Sequence, residues 1–303
     1  MVEDTGSDEA GFGETAQLQY SSIKRPALYV VATPIGNLSD ITHRAIEVLS
    51  HVDLIAAEDT RHSGRLLQHL GVSTRMISYH DFSTGQREQA ILQRLSEGEA
   101  IALISDAGTP LISDPGYSLV LKCRELQIPV IPVPGASAVT AALSAAGLPS
   151  NRFAFEGFPP AKRGARQRYF QSLADEERTL VFYESPHRIQ ESIDDMNLAF
   201  GEERQAVICR ELTKTWETIH GDELAALCVW LREDDNNRRG EFVVLVHGAV
   251  RPEVQALSQE TEHVLRILMR ELPLKQAAAM AAEISGSKKN ILYKRALEIA
   301  DQV

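Results

Sequence analysis

Cysteine, long apolar runs and positive charge are all scarce in this sequence. Its 303 residues include three cysteines, Cys123, Cys209 and Cys228. They are too few and too scattered for a disulfide framework or a Cys-x-x-Cys site, so they read as small buried residues and no metal is expected. The longest apolar stretches, such as 27–31 and 101–104, fall far short of the ~20 residues that span a bilayer, so no membrane partner is expected. The acidic start MVEDTGSDEAGFGETAQ has no apolar core; it does not read as a signal peptide, and a cytoplasmic location follows. Thirty-one Lys and Arg against 42 Asp and Glu give a net charge of −11. That excludes a protein that coats nucleic acid with its whole surface, but not local basic patches, because salt screens charges beyond ~8–10 Å. No Gly-Lys-Ser/Thr phosphate loop occurs, and no Gly-x-Gly-x-x-Gly follows the first strand.

What is present is a strand–helix rhythm. At ~150 residues per domain, the length suggests two domains with a small appendage. Residues 1–25 read as a disordered acidic tail. Over 26–149, short apolar runs at 27–33, 54–57, 76–80, 100–105 and 130–134 alternate with helical patterns at 40–50, 64–70, 86–97, 117–126 and 137–146. Continuous apolar strands between helices predict a parallel α/β sheet covered on both faces. Residues 150–249 repeat the theme, with strands at FAFEGF, TLVFYES, QAVICREL and GEFVVLVHG and helices at 163–173, 187–199 and 222–232. The stretch EDDNNRRG (233–240) reads as a hairpin-type loop. Residues 250–303 read as helical, with breaks at Pro273 and Ser285-Gly286-Ser287. The fold class is therefore α/β, in two α/β domains plus a C-terminal helical extension.

Three loops follow strand ends in the first domain: Thr33-Pro34-Ile35-Gly36-Asn37-Leu38, Ser105 to Gly116 with Asp106 and Asp114, and Val133-Pro134-Gly135-Ala136-Ser137-Ala138. Small turn residues let backbone groups approach a ligand, and ligands of open parallel sheets sit beyond the carboxyl ends of the strands. The third loop opens a helix, whose free N–H groups favour an anionic group.

The segments PIGNLSDITHRA, AAEDTRHSGRLLQHL, LISDAGTPLISDPG, PVPGASAVTAAL, FYESPHR, CRELTK and GEFVVLV occur in this order. Together they resemble the bacterial 16S ribosomal RNA (cytidine-2′-O)-methyltransferases of the tetrapyrrole methylase (class III methyltransferase) superfamily. The resemblance covers 26–249 and the helical extension. It implies S-adenosylmethionine in the cleft between two α/β domains, a homodimer, and 2′-O-methylation of a cytidine in the decoding region of 16S ribosomal RNA within the small subunit. Tetrapyrrole-acting relatives carry Gly-x-Gly-Pro-Gly-Asp after their first strand, where this chain has Ala32-Thr33-Pro34-Ile35-Gly36-Asn37. Carried over by position, the cofactor contacts fall on Pro34, Gly36, Asp106, Ala107, Gly108, Pro134, Gly135, Ala136 and Ser137. Phe182, Tyr183 and Leu212 join them from the second domain.

Methyl transfer from a sulfonium requires no metal, only in-line positioning and removal of the proton of a weakly acidic hydroxyl. Glu58, Asp59, Arg61 and Lys214 stand at strand ends where a carboxylate could take that proton and a cation could hold a phosphate. The other reading makes Asp59 a helix cap and Arg61 and Lys214 solvated cations. Glu184 and Arg188 in FYESPHR are further candidates, and His80 and His187 further possible bases. Two basic stretches suit RNA: Lys162, Arg163, Arg166 and Arg168 beside Tyr169 and Phe170, and Lys288, Lys289, Lys294 and Arg295 in a helix–turn–helix layout. The alternatives are a methylase of a tetrapyrrole precursor and a non-catalytic RNA-binding assembly factor on the same fold.

Overall fold

The structure, a computed structural model, describes residues 23–79, 85–250 and 257–300. His80 and the tail up to residue 22 lie outside the described residues. Residues to His247 form one compact unit and residues from Gly248 another.

The first unit holds two five-stranded sheets. Strands β1 (Ala27–Val31), β2 (Leu54–Ala57), β3 (Met76–Ser78), β4 (Ala100–Ile104) and β5 (Val130–Val133) pair in the order β3-β2-β4-β1-β5, every pair parallel. Both faces are covered, which is why the strands are apolar at successive positions. Tyr29, Ala102 and Ile104 belong to the core on one face, and Leu28, Ile101 and Leu103 to the core on the other. The connecting helices are α1 (His43–His51), α2 (Thr60–His69), α3 (Gly85–Ser96), α4 (Tyr117–Glu125) and α5 (Ala138–Ala145). Two begin elsewhere than the periodicity predicts, because side-chain caps set their starts. Thr42 accepts from the Ala45 N–H at 3.1 Å and opens α1, and Asp59 accepts from the Arg61 N–H at 2.8 Å and opens α2.

Strands β6 (Phe153–Gly157), β7 (Thr179–Glu184), β8 (Gln205–Arg210), β9 (Thr218–Glu223) and β10 (Phe242–Val246) form a mixed sheet, β6-β7-β10-β8-β9, in which only β6 and β7 run parallel. Helices α6 (Arg163–Ser172), α7 (Ile189–Phe200) and α8 (Leu224–Glu233) accompany it. The sequence reading misses β9, a mostly exposed edge strand with no apolar run. The predicted hairpin at 233–240 instead carries a 3-10 turn, Asp235–Arg238, linking α8 to β10. Helix α5 joins the two sheets. Its Val139 and Ala142 pack in one core with Val181, Val207, Val243 and Leu245 of β7, β8 and β10.

The second unit is three helices, α9 (Gln259–Glu271), α10 (Leu274–Ser285) and α11 (Lys289–Ala300), around Leu265, Ala278, Ala281, Leu292 and Ala296. Ser258 caps α9 through the Thr261 N–H, and Gly286 ends α10 at φ 72°, a left-handed position that suits glycine.

One expected RNA contact is corrected here. Arg166 is completely buried. Its Nε donates to Asp195 Oδ2 at 2.8 Å and its Nη2 to Glu191 Oε2 at 3.0 Å. It faces inward because it lies one turn before the buried Phe170, on the inner side of α6. Arg166→Ala leaves the buried Asp195 with only Gln167 and the more distant, exposed Arg163 at 3.4 Å, and is expected to cost about 3 kcal/mol, read as a lower urea midpoint. Arg168→Ala, on the exposed face, is expected within about 0.5 kcal/mol of the parent. Equal midpoints for the two variants would contradict the buried pair.

Candidate functional site

The three loops that follow β1, β4 and β5 meet at the carboxyl edge of the first sheet. The Thr33 N–H donates to the Gly108 carbonyl at 2.9 Å, and the Gly108 N–H donates back to Thr33 at 3.1 Å. Thr109 Oγ1 donates to the Ala136 carbonyl at 3.0 Å. Gly108 has φ 81°, and a Cβ there would sit 3.1 Å from Ile35 Cγ2, so glycine fits both the conformation and the space.

Between these loops and the ends of β7, β8 and β10 lies a cavity of about 440 Å3, within the ~300–1,000 Å3 usual for small-molecule sites. From the first sheet come Glu58, Asp106, Ala107, Gly108, Asp114 and Ser137; from the second, Tyr183, Glu184, Leu212 and Glu241. Among the described residues that line it, five are carboxylates and none is Lys, Arg or His; of the five, Glu184 pairs with Arg188 and Glu241 with Lys214 outside the cavity. Such a site suits a ligand with net positive charge.

The carboxylates are coupled through the backbone. The Asp59 N–H donates to Asp106 Oδ1 at 3.1 Å, and the Asp106 N–H reaches Glu58 Oε2 at 3.4 Å. Burial pushes the Asp114 carboxyl up to about 6; a Ser105 hydrogen bond opposes the rise, and the Glu58 and Asp106 charges add to it. Burial, with the Asp114 charge, raises the Tyr183 phenol to about 12. Burial likewise pushes the Cys209 thiol to about 12, so this cavity-lining cysteine is an unreactive thiol. Among the described residues, no group of three or more His, Cys, Asp or Glu is placed to hold a metal ion.

The predicted residues divide. Glu58, Asp106, Ala107, Gly108, Ser137, Tyr183 and Leu212 line the cavity. Pro34, Gly36, Pro134, Gly135 and Ala136 belong to the loops behind that lining. Phe182 is fully buried on the other face of its sheet, edge-on to Phe170 at 5.6 Å, so its ring is a core group. Asp59 and Arg61 pair with each other outside the cavity, at 3.1 Å. Arg61's hydrogen bonds hold the Asp59 carboxyl below its ordinary value, a poor state for a base. Lys214 is also outside it, bound to Glu211 Oε1 and Glu241 Oε2, both at 2.8 Å. Burial lowers its ammonium pKa, but the two carboxylates outweigh that and hold it above the usual lysine value. Its stem crosses Gly36, where a Cβ would come within 2.5 Å of Lys214 Cγ. Lys214 thus ties the first loop to the turn after β8.

Residues 27–228 match the family model for tetrapyrrole (corrin/porphyrin) methylases, and residues 255–300 that for the RsmI C-terminal HTH domain. The ribosomal RNA small subunit methyltransferase I of Escherichia coli O157:H7 is 54% identical over 93% of this chain and 98% of its own length. That of Vibrio cholerae is 55% identical over 90% and 95%. The chain belongs to the ribosomal RNA small subunit methyltransferase I family. Solved structures share its fold. Uroporphyrin-III-C-methyltransferase from Thermus thermophilus aligns with a TM-score of 0.53 at 19% identity, over 74% of this chain and 94% of that one. Diphthine synthase aligns with 0.55 at 13%, over 74% and 91%.

In this methyltransferase I family member the sequence reading misses Glu241 and Phe158 in the lining, notes Asp114 only as a loop residue, and weighs Glu184, which the structure places in the lining. Glu184 ends the apolar run of β7, and a carboxylate at a buried strand end is the signal that singles it out. For Phe158 there was none. The raised Asp114 gives a test of sign. Its folded value, about 6, lies above the unfolded carboxyl, so stability falls as pH rises from about 4 to 6 and stays reduced above that. Asp114→Asn removes this penalty, worth about 1 kcal/mol at a partly solvated site. The ligand-free variant is expected to melt about 2–4 °C higher at pH 8, with the gap closing below pH 4. A variant that melts lower at pH 8 would contradict the penalty of this buried carboxylate.

Proposed function

We propose that this chain uses S-adenosylmethionine to methylate the 2′-oxygen of a cytidine ribose in the decoding region of 16S ribosomal RNA. The observation that carries the RNA reading is the 54% identity to a ribosomal RNA small subunit methyltransferase I along 98% of that relative's length. The cavity supports the cofactor. Its carboxylates suit a sulfonium and an ammonium, its Ala107-Gly108 and Ser137 backbone can meet an adenosine, and Tyr183 and Leu212 give it an apolar wall. Thr213 Oγ1, next to Leu212, is buried without a hydrogen-bond partner. In this reading residues 26–149 and 150–249 form two lobes that supply the two walls, and the protein works as a cytoplasmic homodimer.

Bound there, S-adenosylmethionine supplies an activated methyl group. The protein's part is to orient the ribose and take the hydroxyl proton. Among the described candidates, Glu58 lines the cavity and is assigned that step, since Glu184, which also lines it, is paired with Arg188. Lys162, Arg163 and Arg168 lie exposed at the start and on the outer face of α6, and Lys288, Lys289 and Lys294 lie exposed in the second unit. These suit the phosphate backbone. Arg295 is engaged with Glu262 at 2.7 Å and Glu298 at 2.9 Å, so its guanidinium is committed within the unit.

The test is transfer of labelled methyl from S-adenosylmethionine to 30S particles prepared from cells lacking the protein, followed by mapping. Label on the 2′-oxygen of one cytidine is expected, and no label would overturn the reading. Glu58→Gln is expected to lower kcat about 100-fold or more with a smaller change in donor affinity. Reversing Lys162, Arg163 and Arg168 together is expected to reduce the salt slope of RNA binding by about three, leaving donor affinity intact. An unchanged slope removes this patch from the interface.

A further inference from the structure

One cavity residue is left unexplained by donor binding or proton transfer. Phe158 lines the cavity yet is 53% exposed. Single exposed apolar side chains are ordinary on protein surfaces; this one differs in how it is held. Gly157 before it has φ 64°, and a Cβ there would be 3.2 Å from Ser113 Oγ, so the end of β6 lies against the loop that carries Asp114. Pro159 and Pro160 follow it, and the Pro159 carbonyl accepts from Arg188 Nη1 at 3.3 Å. Arg188 is in turn paired with the buried Glu184, another lining residue, at 2.9 Å. The Phe158 ring rests edge-on to Tyr183, with centroids 5.5 Å apart, which leaves ring surface open. Ile112, also lining and exposed, adds apolar surface from the Asp114 loop. Lys162 and Arg163 stand exposed four and five residues further along the chain.

A rigid, half-open ring at a cavity mouth, followed closely by exposed cations, is the arrangement that receives an unstacked nucleobase with its flanking phosphates. We propose that Phe158 is the stacking platform for the base of the nucleotide whose ribose is methylated. The inference rests on the RNA reading above and adds to it the residue that positions the target.

The experiment measures methylation of 30S particles at saturating S-adenosylmethionine by the full chain and by Phe158→Ala, Phe158→Leu and Phe158→Tyr. Loss of one stacked base weakens binding by roughly 5- to 100-fold. Phe158→Ala and Phe158→Leu are expected to raise KM for the particle in that range, with kcat changed less. Phe158→Tyr, which keeps a flat ring, is expected to stay within about threefold of the parent. Donor affinity is expected to change less than KM for the particle in all three, and Tm by no more than a few degrees. An unchanged KM in Phe158→Ala, or full activity in Phe158→Leu, overturns the stacking role. The parent enzyme separates the two levels: no transfer by the parent overturns the RNA reading and this role with it, whereas normal transfer by the parent and by Phe158→Ala overturns this role alone.

Discussion

The close seating of helix α5 on the second sheet is the constraint on which the site depends. Val139 and Ala142 are buried against β7, β8 and β10, and the helix is built from Ala, Val, Ser and Thr apart from one Leu. Small side chains let helix and sheet backbones approach closely, and a larger group at Ala142 would part them or force the core to rearrange. Because Ser137 and Ala138 head that helix, the same contact brings the first sheet's loops to the strand ends of the second. Packing in the core thereby sets the width of the cavity.

The cavity carries costs that the rest of the fold sustains. Asp114 resists ionisation because it is buried, and the nearby Glu58 and Asp106 charges add to that resistance. Backbone strain gathers at the same place. Among the described residues, four of the five non-glycine positions with positive φ fall in two turns beside the cavity: Leu111 and Ser113 in one, Glu211 and Thr213 in the other. The second turn is pinned by Lys214 between Glu211 and Glu241, and by Gly240, where any Cβ would come within 2.4 Å of Glu211 Cγ. Crowded like charges and strained turns persist where a ligand gains from them, and a cationic donor would relieve the charge crowding.

Much of this was legible in the sequence. The parallel sheet was, because strands covered on both faces must be apolar at consecutive positions, as 27–31 and 100–104 are. The three loops were, because their small residues have few other uses. Edge strand β9 was not, since it buries little and its Thr-Ile-His-Gly-Asp-Glu run carries no apolar pattern. Charge counting misjudged Arg166, because a cation in a basic stretch looks the same whether it faces water or Asp195; its spacing of four from Phe170 was the available clue. Asp59 and Lys214 were named for chemistry, yet Asp59 caps a helix and Lys214 sits between two carboxylates. Short-range order distinguishes neither role from catalysis without the coordinates of the partners. Most of the cavity's second wall came from residues more than 40 positions beyond the loops, a juxtaposition that the packing of α5 creates.

All of this follows from the methyl donor binding in the space between these two sheets. A crystal structure of the protein with S-adenosylmethionine tests it most directly. Ligand density is expected against Asp106 to Gly108 and Ser137 on one side and Tyr183 and Leu212 on the other. Well-defined density elsewhere, with this cavity holding only water, would contradict it.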